Sequence, residues 1–318
     1  MSSLLDFERP IAELEGKVRE LRHLDSEGEL DLKEEIAKLE ERAAKLLEST
    51  YGKLTAWQKA KVARHPDRPH FHNYLDGLIT DFVPLAGDRA FGDDSALVGG
   101  LGRFHGRSVV IMGHEKGRET EQRVHHNFGM AHPEGYRKAV RLMRLAERFN
   151  MPLITLVDTP GAFPGVEAEE RGQAEAIARA IETGLSLKVP FIAVIVGEGG
   201  SGGAIALAAA DRVFMLEHSI YSVISPEGCA AILWRSAEQA EAAAEAMRIT
   251  AQDLDRLGLI DGIVSEPLGG AHRNTHVTVA SVGDVLKQSL DALTQLDVEV
   301  LVRQRAEKYL TMGRPGDS

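Results

Sequence analysis

At 318 residues with 43% hydrophobic content, the chain is long enough for one large core plus an appendage, or for two modest domains. A net charge of -11 argues against a nucleic-acid binder, because neutralising phosphates needs a basic surface, and no apolar run approaches the roughly 20 residues that span a bilayer. Asp6 and Glu8 stand where a secretory signal would be basic and then apolar, so a cytoplasmic protein is expected; the lone Cys229 leaves no pair for a disulfide and no thiolate zinc site.

In chain order, Ile11, Leu14, Val18 and Leu21, and then Leu32, Ile36, Leu39, Ala43 and Leu46, follow helical spacing with one apolar stripe each. Asp25-Ser26-Glu27-Gly28 breaks them, and Glu34 with Lys38 and Glu41 with Lys45 are i,i+4 pairs on the exposed face. A helical hairpin follows, whose stripe must pack on the main body or on another chain. From Tyr51 to Tyr74 the chain turns basic, with Lys53, Lys59, Lys61, Arg64 and Arg68, and His65-Pro66-Asp67-Arg68-Pro69 cannot be helical because each proline restricts its predecessor. This stretch reads as a connector whose cations pair with an acidic chain, with a phosphate-facing patch as the functional alternative. His70 with His72 and His125 with His126 have no acid or cysteine at ligand spacing, so no metal is expected on this chain.

The main body starts near Asp81. Runs 96–104 and 108–113 are strands joined by a tight turn at His105-Gly106. A helix is expected from about Pro133 to Phe149, with Ala139, Leu142, Ala146 and Phe149 on one face, followed by a strand over 153–157, a glycine loop over 158–165 and a long helix through Ile177, Ile181 and Leu185. The pattern then repeats. Val189 to Val196 is an unbroken apolar run, a strand buried on both faces, and Gly197-Glu198-Gly199-Gly200-Ser201-Gly202-Gly203 is expected to end it before a buried helix opens at Ala204. Two parallel strands ending in glycine loops place two N–H-rich turns on one edge of the sheet, where ligands of α/β proteins bind.

The second loop supports several readings. Gly197-x-Gly199-x-x-Gly202 fits a dinucleotide fingerprint, but only about two helical turns fit before the strand at Arg212–Leu216, short for the usual crossover. Gly199-x-Ser201-x-Gly203 fits a nucleophile elbow, with Asp261 and His272 following in hydrolase order. A phosphate loop is excluded, because no Gly-Lys-Ser/Thr closes it. Every remaining reading shares an anion hole of backbone amides, and the structural alternative is tight packing of helix on strand. Beyond it come a strand-like run over 219–224, a helix opened by residues 225–230, a helix over 236–247, a Thr250-x-x-Asp253 helix start, a short strand at 260–264 and a mostly helical remainder.

Four stretches together resemble one family: Asp158-Thr159-Pro160-Gly161-Ala162-Phe163-Pro164-Gly165, the loop Gly197–Ala204, Tyr221–Ala230, and Pro267-Leu268-Gly269-Gly270-Ala271-His272-Arg273-Asn274. The chain is similar to the carboxyltransferase alpha subunit of multi-subunit bacterial acetyl-CoA carboxylase over nearly its whole length, more loosely in the first 50 residues and the tail. The resemblance implies an α/β crotonase-like core of repeated ββα units over 81–295, preceded by the hairpin (1–50) and the basic connector (51–80) and followed by a helical tail (296–318). It implies transfer of a carboxyl group from carboxybiotin, borne on the biotin carboxyl carrier protein and charged by biotin carboxylase, to acetyl-CoA to give malonyl-CoA for fatty acid synthesis. A beta subunit would bring most of the coenzyme A contact and a zinc ribbon, in an alpha2beta2 assembly. On this chain the resemblance and the loop geometry together point to the Gly202 and Gly203 amides as the oxyanion hole, with Gly199, Gly200, Ser201, Gly161, Ala162 and Phe163 around the biotin ring. A serine hydrolase using Ser201 and a non-catalytic scaffold are the alternatives.

Overall fold

A computed structural model describes residues 4–26 and 32–313. The expected hairpin is α1 (Arg9–Ser26) and α2 (Lys33–Tyr51), with Ile11, Val18, Ile36 and Ala43 buried; of the expected break, Asp25 and Ser26 are still helical, as the last turn of α1, and Glu27 and Gly28 lie outside the described residues. Leu47 is buried in place of the expected Leu46. The base of the hairpin docks on the main body, where Ile11, Leu47 and Tyr51 pack with Val62, and Tyr51 donates its hydroxyl proton to Glu8 at 2.9 Å.

The connector is more ordered than its basic composition implies. It forms α3 (Ala56–Ala63), started by Thr55, whose hydroxyl accepts the Gln58 amide, and α4 (Phe71–Leu78), and His65–Pro69 between them is non-helical as the prolines require. Arg68 is completely buried and gives Glu266 a two-pronged pair at 2.8 and 2.9 Å.

One mixed sheet organises the rest. β1 (Thr80–Pro84), β2 (Leu97–Phe104) and β3 (Arg107–His114) are antiparallel, with the β2–β3 turn at His105-Gly106 as expected. After the short α5 (Thr120–His125) comes α6 (Pro133–Arg148), which opens on proline and buries Ala139, Leu142 and Ala146. Phe149, expected on that face, is the C-cap and is exposed, because the helix ends one residue before it.

β4 (Leu153–Thr159) then pairs parallel with β3. It is followed by α7 (Val166–Glu170) and α8 (Gln173–Ser186). The buried side of α8 is Ala176, Ala180 and Gly184, while Ile177, Ile181 and Leu185 flank it, because the helix lies too close to its neighbours for large side chains. β5 (Phe191–Gly200), α9 (Ser201–Ala208) and β6 (Arg212–Leu216) follow, then β7 (Ile220–Ser222), α10 (Pro226–Leu233), α11 (Ala240–Met247), α12 (Ala251–Arg256), β8 (Gly262–Val264), α13 (Thr275–Leu293) and α14 (Val298–Thr311). The strand order is β1-β2-β3-β4-β5-β6-β8, with β7 beside the end of β5.

β5 is buried along its whole length, and its side chains alternate between two cores. Ala193 and Ile195 face the α6–α8–α9 layer, and Ile192, Val194 and Val196 face the layer of α4 and α13. α14 is pinned to the body by Arg305, whose guanidinium is buried, pairs with Asp211 at 2.7 Å and donates to the carbonyls of Gly184, Leu187 and Val189.

Candidate active site

β4 and β5 run side by side and parallel, so their carboxyl ends open on one edge of the sheet. After β4 the chain makes the expected loop. Thr159 Oγ1 donates to the Gly161 carbonyl at 2.7 Å and accepts the Gly161 amide, the Phe163 amide donates to Ala131 O, and the Gln173 side chain donates to Ala131 O and Phe163 O. Among the described residues the Ala162 amide finds no acceptor.

The exit from β5 differs from the expected loop. Gly197 to Gly200 continue the strand, with Gly199 opposite both Thr159 and Tyr221, and Gly200 opposite Ser222. The turn is a single residue: Ser201 sits at φ +50° and α9 starts there, three residues before Ala204. Glycine is used here for approach between chains. A Cβ on Gly200 would lie 2.1 Å from Pro160 O, and one on Gly203 would lie 2.9 Å from Ala162 N and 2.8 Å from the Tyr136 hydroxyl. The first amides of α9 have no carbonyl one turn back, and they lie against the Pro160–Ala162 turn at the positive end of the helix dipole.

An open cavity of about 790 Å³ lies in front of this junction. Ser201, Gly202, Gly161, Ala162 and Phe163 line it. Gly203 is buried directly behind, and Gly199 and Gly200 lie within the strand and do not reach the cavity. The walls also include Arg64, Glu198, Glu227, Gln173, Ile177 and residues 223–225, which sequence reasoning did not place in the site. The signal for Arg64 was its basic stretch, read as a connector. Arg64 donates to Glu198 Oε1 at 2.6 and 2.9 Å and to Glu227 Oε1 at 2.5 Å, so one side chain joins α3, the end of β5 and the first turn of α10.

A buried charge network backs the cavity. Asp158 accepts the Glu198 amide at 2.9 Å and pairs with Lys116 at 2.6 Å. Burial opposes its ionisation, but Lys116, His70 and the Glu198 amide outweigh that and hold its carboxyl well below the usual range. His114, buried nearby, is pushed down to about 3 by desolvation and is neutral.

The hydrolase order is not assembled. Asp261 accepts the Val213 amide and pairs with Arg212 and Lys308, while His272 stacks on His65 and lies 3.6 Å from Glu8, and neither lines the cavity that holds Ser201. Glu8, His65 and His272 are a group of metal-ligand type whose ligand atoms lie within 4.8 Å of one another, a convergence from three distant segments that no local spacing could reveal. The His65 Nδ1 accepts the Asp67 amide and Arg273 comes within 3.5 Å of Glu8, so the group is built as an ion-pair and stacking contact.

The chain matches the family described as acetyl co-enzyme A carboxylase carboxyltransferase-like over residues 4–313. It is 62% identical over 313 residues, 98% of this chain and 99% of the relative, to a protein of Paramagnetospirillum magneticum named acetyl-coenzyme A carboxylase carboxyl transferase subunit alpha. A protein of the same name from Rhodospirillum centenum is 62% identical over 98% of both chains. Among solved structures, transcarboxylase 12S, a hexamer with methylmalonyl-coenzyme A bound, overlays with TM-score 0.59 at 20% identity, over 72% of this chain and 42% of that one. A Pseudomonas malonate decarboxylase hetero-tetramer with coenzyme A overlays with TM-score 0.56 at 18% identity, over 70% and 89%. At such identities the overlays show the shared fold, the crotonase-like α/β architecture of carboxyltransferases, and the sequence matches show that this chain belongs to the acetyl-CoA carboxylase carboxyltransferase alpha-subunit family.

Proposed function

We propose that this chain is the alpha half of an acetyl-CoA carboxylase carboxyltransferase, and that the junction of α9 with the Pro160–Ala162 turn is its oxyanion hole. The observation that carries this is the coincidence of two sets of free amides, the Ala162 N–H at one wall of the cavity and the N-terminal N–H groups of α9, with Ser201 and Gly202 at that wall and Gly203 directly behind it. They fit the ureido oxygen of a carrier's biotin: the hole is compact, made of fixed donors, and stripped of side chains at Gly202 and Gly203. Carboxybiotin supplies the carboxyl group and, once that has left, the basic ureido nitrogen for the acetyl methyl. The protein's own part is electrostatic. Gly202 and Gly203 donate towards the charge that develops on the ureido oxygen, Ala162 donates from across the seam, and Gly161 and Phe163 hold the turn in place. Gly199 and Gly200 support the hole from within β5, where a side chain on Gly200 would exclude Pro160 and one on Gly199 would crowd Tyr221.

The site is open on one side. Val223 is exposed at the cavity wall, and Ile232, Leu233 and Trp234 are exposed apolar groups at the far end of α10, whose first turn brings Glu227 to that wall. They support a beta subunit covering the site and supplying the thioester half, in an alpha2beta2 arrangement that works with the biotin carboxyl carrier protein and biotin carboxylase. No helix among the described residues is long and apolar enough to cross a membrane, in keeping with a proposed cytoplasmic location. The test is carboxyl exchange between malonyl-CoA and free biotin. Activity is expected only when the chain is combined with its beta subunit, and substantial transfer by the chain alone would overturn the half-site reading.

A further inference from the structure

Behind the hole lies a polar group that no packing argument explains. Tyr136, on α6, is completely buried, and its hydroxyl has no hydrogen-bond partner among the described residues. Burial pushes the phenol upward, with the Asp94 carboxylate adding to the shift, so the group is a neutral O–H. Leaving such a donor unsatisfied costs stability, and phenylalanine would fill the same volume without that cost. The hydroxyl lies 2.8 Å from the point where a Cβ on Gly203 would sit, and the Gly161 carbonyl carbon and Ala162 nitrogen lie 3.0 and 2.9 Å from the same point. Tyr136 and the peptide between Gly161 and Ala162, the unit whose N–H has no acceptor among the described residues, therefore border the same small space beside Gly203.

The geometry points to Tyr136 as a positioning residue for the oxyanion hole, acting through the Gly161–Ala162 peptide. A carbonyl oxygen accepts two hydrogen bonds, and Gly161 O receives one, from Thr159 Oγ1 at 2.7 Å. When a negative oxygen engages the Ala162 N–H, the peptide shifts slightly and the Tyr136 O–H takes the second acceptor site on Gly161 O. A peptide whose carbonyl accepts two donors has a more polarised N–H, so the bond to the ligand strengthens as charge develops. The orphaned hydroxyl is a donor held in reserve for the loaded state.

This rests on the reading of the α9 junction as the hole, and the experiment separates the two. In the complex with the beta subunit, Tyr136→Phe is expected to melt at the same temperature or higher, to lose about 3- to 10-fold in kcat for biotin and malonyl-CoA exchange, the range of one neutral hydrogen bond, and to change KM less than kcat. The rise in melting temperature that saturating free biotin gives the wild-type complex is expected to shrink in the variant. A kcat within twofold of wild type with an unchanged biotin shift overturns the proposal, and so does a kcat loss accompanied by a lower melting temperature or a lost complex, which is the mark of ordinary packing. Gly202→Pro, measured alongside, removes a donor from the hole itself. If it too is near wild type, the hole reading has failed; if it is impaired while Tyr136→Phe is not, only the role of Tyr136 has failed.

Discussion

The exits of β4 and β5 are built from the same kind of sequence, an apolar strand followed by glycines, and do different things. After β4 the chain spends six residues on a loop whose Gly161 amide is bonded to Thr159 Oγ1 and whose Phe163 amide is bonded to Ala131 O, leaving Ala162 free. After β5 the glycines stay in the strand, and a single left-handed residue, Ser201, turns directly into a helix whose first amides are free. An abrupt junction thus supplies several donors at the seam where the loop brings one, Ala162. The loop's share is to be shaped so that its one donor faces the others.

The largest expected effect comes from breaking the support behind the exit of β5 alone. Arg68 donates to Val196 O, immediately before the glycines, and pairs with Glu266 at complete burial. Arg68→Met leaves an unpaired buried carboxylate and is expected to cost about 3 to 5 kcal/mol in chemical denaturation. The same pair makes the fold acid-sensitive. Burial opposes the charge on Glu266, but Arg68 and His218 hold it down to about 2 against an ordinary 4.5, so its stabilisation is whole above about pH 4.5 and drains away as pH falls towards 2. Acid unfolding of Glu266→Gln should show a shallower slope over that window; an equal slope would place the sensitivity elsewhere.

Next comes the α9 end itself. Gly202→Pro removes an N–H and is expected to lower kcat by about 10²- to 10³-fold, with circular dichroism and co-purification with the beta subunit unchanged. The seam between the exits is sharpened by two alanines. A Cβ on Gly203 meets the Ala162 backbone at 2.9 Å, so Gly203→Ala should wedge the walls apart, cost about 1 to 3 kcal/mol by overpacking and lose at least about tenfold in rate. A Cβ on Gly202 meets only Ile177 at 3.4 Å, so Gly202→Ala should lose at most about fivefold. Equal losses would mean that the ligand, not the seam, is what the added methyl meets. The smallest effect is expected at the turn residue. Ser201→Ala should keep activity within about tenfold, the most a lost neutral hydrogen bond accounts for, and the wild-type chain should not take up a fluorophosphonate label.

The sequence carried the sheet because β3, β4 and β5 are buried on both faces and read as unbroken apolar runs. The hairpin was legible from its stripe, and the junction's amides from glycine density and the family resemblance. What escaped has one physical cause. Glycine was read as a chain breaker at 197–200, but there it serves approach between neighbouring strands, a tertiary requirement invisible to local propensity. The charges failed in the same way: nothing local distinguishes Arg64, which bridges Glu198 and Glu227, from Lys53, which is exposed. The partners are more than a hundred positions away.

The pinning of α14 has a consequence for how the chain is made. Arg305 satisfies the carbonyls at the end of α8, the approach to β5 and the carboxylate of Asp211, which in turn accepts the Phe191 amide at the start of β5. On a ribosome adding about 5 to 20 residues per second, β5 and α8 emerge well before the arginine that caps them, 94 positions beyond Asp211. Until then Asp211 is a carboxylate without its guanidinium, and the carboxylate that accepts the first amide of the central strand is itself unsupported. Completion of the core thereby waits for α14, so a chain truncated before residue 305 should be protease-sensitive at β5, and the chain that carries Arg305 should be resistant there once it is released.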